Sequence, residues 1–90
     1  MNIFYKPSFY RSIKKITDPS VKNNIKEAIL SVKQAKTLKV IPELRKLKGY
    51  KKDIYYRIKV DTYRIGITIE KNNVIFHKCL SRKDFYKFFP

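Results

Sequence analysis

Ninety residues carry 22 Lys and Arg against 7 Asp and Glu, a formal net charge of +15. A composition that is 43% hydrophobic and 14% aromatic excludes a disordered chain and fits one domain with a modest core, while the charge draws polyanions: nucleic acid, an acidic protein or an anionic membrane surface. No apolar run reaches the roughly 18 residues of a membrane span, the stretch Met1 to Pro7 lacks the apolar region of a signal peptide, and the single cysteine, Cys79, excludes an internal disulfide and a cysteine metal cluster. The expectation is a soluble protein of a reducing cytoplasm, with no membrane association and no cofactor or metal.

In chain order, Asn2 to Lys6 reads as a short strand closed by Pro7, which suits the first turn of a helix because its missing N–H is not needed there. Phe9, Ile13 and Ile16 recur at helical spacing. Asp18 is placed to cap a second helix with Pro19 as its first residue, and Val21, Ile25, Ala28, Ile29 and Val32 trace its apolar stripe. From Ala35 to Lys52 the pattern loosens: Pro42 breaks any continuous helix, Leu44 and Leu47 are core anchors, and five cations crowd around Gly49 in a basic loop. A hairpin over Ile54 to Glu70 follows, then a turn at Lys71–Asn73 and a strand from Val74 to Leu80. On that last strand the length of the turn decides which set faces the helices, Phe76, Lys78 and Leu80 or Ile75, His77 and Cys79. Residues 81–90 form a turn or short helix whose aromatics pin it to the sheet.

The sum is one α+β domain over residues 1–90: a short N-terminal strand, a helical hairpin, then an antiparallel three-stranded meander, with the helices packed on one sheet face and the other face open.

Within the hairpin, Tyr56, Ile58, Val60, Tyr63 and Ile65 alternate with Arg57, Lys59 and Arg64. If Asp61 and Thr62 form a two-residue turn, Lys59 lies directly opposite Arg64 and Gly66 lies opposite Arg57. Like charges opposed across strands cost stability. The plain alternative is a solvated strand face; the functional reading is a surface that receives an anion. An Asp-Thr pair is less suited to left-handed turn torsions than Asp-Gly would be. Gly66 leaves room over the sheet for a side chain or a ligand.

The helical hairpin, Leu47-Lys48-Gly49, Tyr56-Arg57-Ile58-Lys59-Val60, Tyr63-Arg64-Ile65 and Arg82-Lys83-Asp84-Phe85-Tyr86 together resemble the RelE/ParE superfamily of toxins from type II toxin–antitoxin systems. The resemblance covers essentially the whole chain and favours the RelE-like branch. It implies a ribosome-dependent endoribonuclease that cuts messenger RNA without a metal and inhibits translation. ParE-like members instead inhibit DNA gyrase without nuclease chemistry, and a non-toxic nucleic-acid-binding relative is the third reading. Implied partners are a cognate antitoxin, the ribosome and mRNA, and operator DNA reached through the antitoxin. By the same resemblance the catalytic set is Arg57, Lys59, Arg64, Arg82 and Tyr86, and the RNA-binding set is Lys48, Lys51, Lys52, Lys78 and Lys83.

Metal-independent cleavage uses the ribose 2′-oxygen as nucleophile, so it needs a proton acceptor, donors for the developing charge, and a proton source for the leaving oxygen. Arg64 and Lys59 fit the charge-stabilising role and Arg82 the leaving group, with Tyr86 or a neighbouring base as acceptor. Tyr86 is otherwise one of a run of core-capping aromatics, and Arg82 a partner for Asp84 or a helix cap. His77 reads as structural, Cys79 as a small buried residue, and Asp61 and Asp84 as turn and cap residues. Lys14, Lys15, Lys22, Lys26, Lys33 and Lys36 line the solvated helix faces, where they could meet phosphate backbones.

Overall fold

β-branched and aromatic residues at alternate positions build a five-stranded mixed sheet in the computed structural model, which describes residues 1–90. The strands are β1 (Asn2–Tyr5), β2 (Leu44–Lys46), β3 (Tyr55–Val60), β4 (Tyr63–Glu70) and β5 (Asn73–Ser81). They lie in the order β1-β5-β4-β3-β2. Strands β3, β4 and β5 form the expected antiparallel meander, and β1 joins β5 in parallel.

Two helices separate β1 from the rest. α1 (Pro7–Lys14) starts on Pro7. α2 (Pro19–Gln34) starts on Pro19, and Asp18 caps it by accepting from the Ser20 N–H at 2.9 Å. Phe9, Ile16, Ile25, Val32 and Ala35 from this hairpin and its ends are buried against Ile58, Val60, Ile65, Ile67, Val74 and Phe76 of the sheet. This is the one substantial core, and each of these side chains contributes about 1.5–3 kcal/mol if large and fully buried.

The fold class is the one read from the sequence, with two additions. Residues 38–40 make a short 3-10 turn, and β2 follows as an edge strand where a basic loop was expected. Its three residues pair with Ile58, Arg57 and Tyr56. A three-residue strand carrying Arg45 and Lys46 has too little alternation to announce itself. Of the two expected anchors, Leu44 packs against the core and Leu47 is half-buried outside it.

The short helix expected at residues 81–90 is α3 (Arg82–Phe88), and the second addition is where it lies. Gly66 lies between the core residues Ile65 and Ile67, so it faces the other side of the sheet. A Cβ on Gly66 would meet the Phe89 ring at 2.7 Å. The space left by this glycine is therefore filled by the protein's own side chain. Phe85 and Phe89 are buried there, outside the main core, so α3 covers part of the face expected to be open.

The facing of β5 is settled by a bulge. Gly66 pairs with Lys78 but Ile67 pairs with Phe76, which leaves His77 as the extra residue. The alternation therefore changes phase along the strand. Val74 and Phe76 are buried before the bulge and Cys79 after it, so each expected set holds for one half of the strand.

Candidate functional site

The β3–β4 turn has the expected register: Val60 faces Tyr63, Lys59 faces Arg64, and Arg57 faces Gly66. Asp61 alone of the two turn residues takes the left-handed region, at φ 53°. Aspartate tolerates this better than most residues, and tertiary contacts hold it there. Asn24 of α2 donates to the Asp61 carboxylate at 2.9 Å, and the Arg82 N–H donates to the Thr62 carbonyl at 2.8 Å. The turn is thus clamped between α2 and the start of α3.

Arg64 is held by the same turn. Its Nη1 donates to the Asp61 carbonyl at 3.1 Å and to the Tyr63 carbonyl at 2.9 Å. The side chain is only 7% exposed. Even so, no buried side-chain nitrogen or oxygen in the protein lacks a hydrogen-bond partner. The Nε and Nη2 donors, which bond no protein group, therefore reach solvent. A guanidinium tied down at one nitrogen and open at the others is pre-organised for an anion.

Arg64 lines a depression together with Lys59, Asp61, Thr62, Ser81, Arg82 and Lys83, with no hydrophobic residue in its wall. Lys59, Arg82 and Lys83 are exposed. The sole ion pair of the protein is Lys46–Asp53, elsewhere on the surface, so none of these four cations is salt-bridged. Two unit charges 4 Å apart repel by about 1 kcal/mol even in water. Four cations against the single carboxylate of Asp61 leave a positive excess that favours an anionic ligand.

Three of the five residues in the expected catalytic set, Lys59, Arg64 and Arg82, come together here. Arg57 does not line the depression; its Nη1 donates to the Glu43 carbonyl at 3.1 Å, toward the β2 edge. Tyr86 does not line it either. It is 58% exposed, with its ring edge-on to Phe85 at 5.0 Å. Being four residues after Arg82 on α3, it shares that residue's helix face, with Cβ atoms about 5–6 Å apart.

Among the expected RNA contacts, Lys83 lines the depression. Lys48, Lys51 and Lys52 are exposed between β2 and β3. Lys78 is half-buried and donates to the Phe88 carbonyl at 3.3 Å, which ties β5 to the end of α3.

Asp61 is the one acidic group in the depression that the sequence reading assigned only to a turn. The register itself carried the signal, since a residue at the tip of this hairpin must sit beside Lys59 and Arg64. His77 has a structural role. Its Nε2 shares a hydrogen bond with Thr68 Oγ1 at 2.9 Å, and its ring packs on Phe89 at 5.6 Å. Burial lowers its pKa from the ordinary histidine value, helped by the nearby charges of Lys6 and Lys78. It lies four residues along β5 from Ser81, about 13 Å away and outside proton-transfer reach of the depression. Burial raises the Cys79 thiol to about 12. No group of three or more His, Cys, Asp or Glu side chains is placed to hold a metal ion, and no helix is long and apolar enough to cross a membrane.

Over its whole length the chain is 32% identical to Toxin RelE3 of Methanocaldococcus jannaschii, and the match covers 100% of both proteins. The chain belongs to the RelE family of toxins. The toxin of the RelB-RelE antitoxin-toxin complex from Methanococcus jannaschii superposes on this RelE chain with a TM-score of 0.79 at 31% identity, covering 97% of this chain and 99% of that one. The YoeB dimer from Staphylococcus aureus shares the fold, at TM-score 0.70 and 23% identity over 89% of this chain and 94% of that chain. So does the archaeal RelE-RelB complex from Pyrococcus horikoshii OT3, at TM-score 0.70 and 13% identity over 90% and 93%. No family model matches the sequence.

Proposed function

We propose that this RelE toxin cuts messenger RNA on the ribosome, in the cytoplasm, and so blocks translation. The observation that carries the reading is the depression, where Lys59, Arg64 and Arg82 converge and none of them is salt-bridged. In the proposed reaction the 2′-hydroxyl attacks the adjacent phosphorus and loses its proton to a side-chain base. The P–O5′ bond breaks, which leaves a cyclic phosphate on one fragment and a 5′-hydroxyl on the other. Arg64 and Lys59 hold the extra negative charge of the pentacoordinate phosphate. Arg82 donates a hydrogen bond to the departing O5′, which takes its proton from water because an arginine does not give one up. Tyr86 or Asp61 takes the proton, Tyr86 from the α3 face that it shares with Arg82 and Asp61 from the wall of the depression. Arg57 steadies the strand edge and reaches the RNA backbone from there.

The deciding experiment is inducible expression with primer-extension mapping of mRNA ends, beside a gyrase supercoiling assay. Codon-phased cuts that require ribosomes are expected. Inhibited supercoiling with intact mRNA would sink the proposal in favour of a ParE-like inhibitor, and Tyr86→Phe beside Asp61→Asn identifies the proton acceptor.

The partner proposed alongside is a cognate antitoxin, through which operator DNA would be reached. The net charge of +15 calls for an acidic partner. Between α1 and α2 runs a groove with an apolar floor that includes Phe9, Ile13, Ile25 and Ile29 and exposed Tyr10 and Leu30, rimmed by Lys14, Lys22, Lys26 and Lys33. That pattern fits an amphipathic helix with an acidic margin. Leu30→Glu should weaken co-purification of the antitoxin while leaving toxicity intact; unchanged co-purification would place the partner elsewhere.

A further inference from the structure

Residues 47–54 link β2 to β3 in a loop that is braced beneath and open above. The Leu47 N–H donates to the Tyr55 carbonyl at 2.8 Å, and Lys46 is paired with Asp53 at 2.8 Å. Gly49, at φ 93°, provides the left-handed turn, with nothing within 4 Å of the position a Cβ would take. Tyr50 is presented on this loop. Its ring meets Tyr55 edge-on at 5.5 Å, yet the residue stays 46% exposed. Tyr55 in turn meets Phe89 at 6.0 Å.

Tyr50 is thus the outer rung of an aromatic ladder that rises from the small cluster under α3. Tyr55 and Lys59 are four residues apart on one strand, so they share a sheet face about 13 Å apart. The ladder and the cationic depression therefore lie along the same surface. Lys48, Lys51 and Lys52 flank Tyr50, all exposed and none salt-bridged.

We propose that Tyr50 is a stacking platform for one unpaired base of an RNA strand whose phosphates lie against Lys48, Lys51 and Lys52. The proposal rests on the reading of the depression as an RNA-cutting site and adds a second subsite along the strand. An exposed ring with flanking cations fits single-stranded RNA, whose unstacked bases offer flat faces that a duplex keeps internal. Lysines alone would hold phosphates without distinguishing a strand from a duplex.

The test measures binding of a fluorescent 12-nucleotide single-stranded RNA at fixed salt, against the same strand with its bases removed and against the duplex. Tyr50→Ala should weaken the base-bearing strand by about 5- to 150-fold and leave the other two probes unchanged. Tyr50→Phe should restore binding. Lys51→Ala with Lys52→Ala should weaken all three probes and flatten the salt dependence. The proposal is overturned if Tyr50→Ala binds the base-bearing strand as wild type does, or loses equally from the abasic strand. A Glu-rich peptide that displaces the RNA from wild type but not from Tyr50→Ala overturns it in favour of a protein partner. Ribosome-dependent cutting is scored separately, so loss of the nuclease reading leaves the stacking result legible.

Discussion

Gly66→Ala isolates the role of α3, because the added methyl enters space that Phe89 already occupies. The new Cβ would stand 2.7 Å from two ring atoms of Phe89 and 2.8 Å from a third. Phe89 is 4% exposed and shares its pocket with Phe85, His77 and Tyr55, so the ring has little room to yield. Overpacking of this kind costs about 1–3 kcal/mol. Replacing glycine by alanine within a strand returns about 0.5–1 kcal/mol. The net expectation is a loss of up to about 2.5 kcal/mol, centred near about 1, read as a lower urea midpoint at unchanged slope.

The same arithmetic predicts a change of sign in a second background. Phe89→Ala alone should cost about 3–5 kcal/mol if the site behaves as a core. With the ring gone, Gly66→Ala should then stabilise by about 0.5–1 kcal/mol, and the double-mutant cycle isolates the steric coupling. Amide exchange should locate the damage in α3, where the Phe89 N–H bonds the Phe85 carbonyl at 2.9 Å. Loosening α3 also loosens Arg82, whose N–H bonds Thr62, so cutting should fall further than global stability does. Additive effects of the two substitutions, or an undiminished midpoint for Gly66→Ala, would refute the packing argument.

Three further outcomes are expected. Arg64→Ala should lower single-turnover mRNA cutting by about 100- to 1,000-fold, and Arg64→Lys should recover only part of it because a lysine cannot bond both turn carbonyls and still present a planar fork; wild-type rates in Arg64→Lys would mean that charge alone matters. The pKa of His77 is lowered in the folded protein, so its contribution to stability is complete above the ordinary value of 6.5 and is lost as pH falls below 6.5 toward the lowered folded value. Urea midpoints from pH 7.5 downward should show this slope in the wild type and a shallower one in His77→Gln, and parallel curves would remove His77 from the account. With its thiol at about 12 and its side chain buried, Cys79 should resist a thiol reagent at pH 8 in the native protein and react at once in urea; rapid native labelling would show the β5–α1 contact to be open.

Local rules carried most of the framework. Proline at the first position of α1 and α2, the Asp18 cap and the apolar stripe of α2 are properties of neighbouring residues, so they are readable in order along the chain. The hairpin register was equally local. A two-residue turn leaves one pairing, and that pairing opposes Lys59 to Arg64. The cationic pair at the centre of the site was therefore readable from the sequence once that turn was assumed, while Asn24 and Arg82 hold the turn itself from other elements.

Tertiary structure decided what surrounds that pair. The facing of β5 depended on a bulge at His77, which arises between strands and has no signature within either one. The partner of Gly66 was an aromatic ring 23 positions away, a contact that no periodicity specifies. Arg82 reaches the depression because the Thr62 carbonyl accepts its N–H at 2.8 Å, while Arg57 is drawn aside by the Glu43 carbonyl at 3.1 Å. These are long-range hydrogen bonds and packing contacts, settled only once the sheet is assembled. The residues of a charge cluster can be listed from spacing, but its membership depends on where the backbone carbonyls of other segments come to rest.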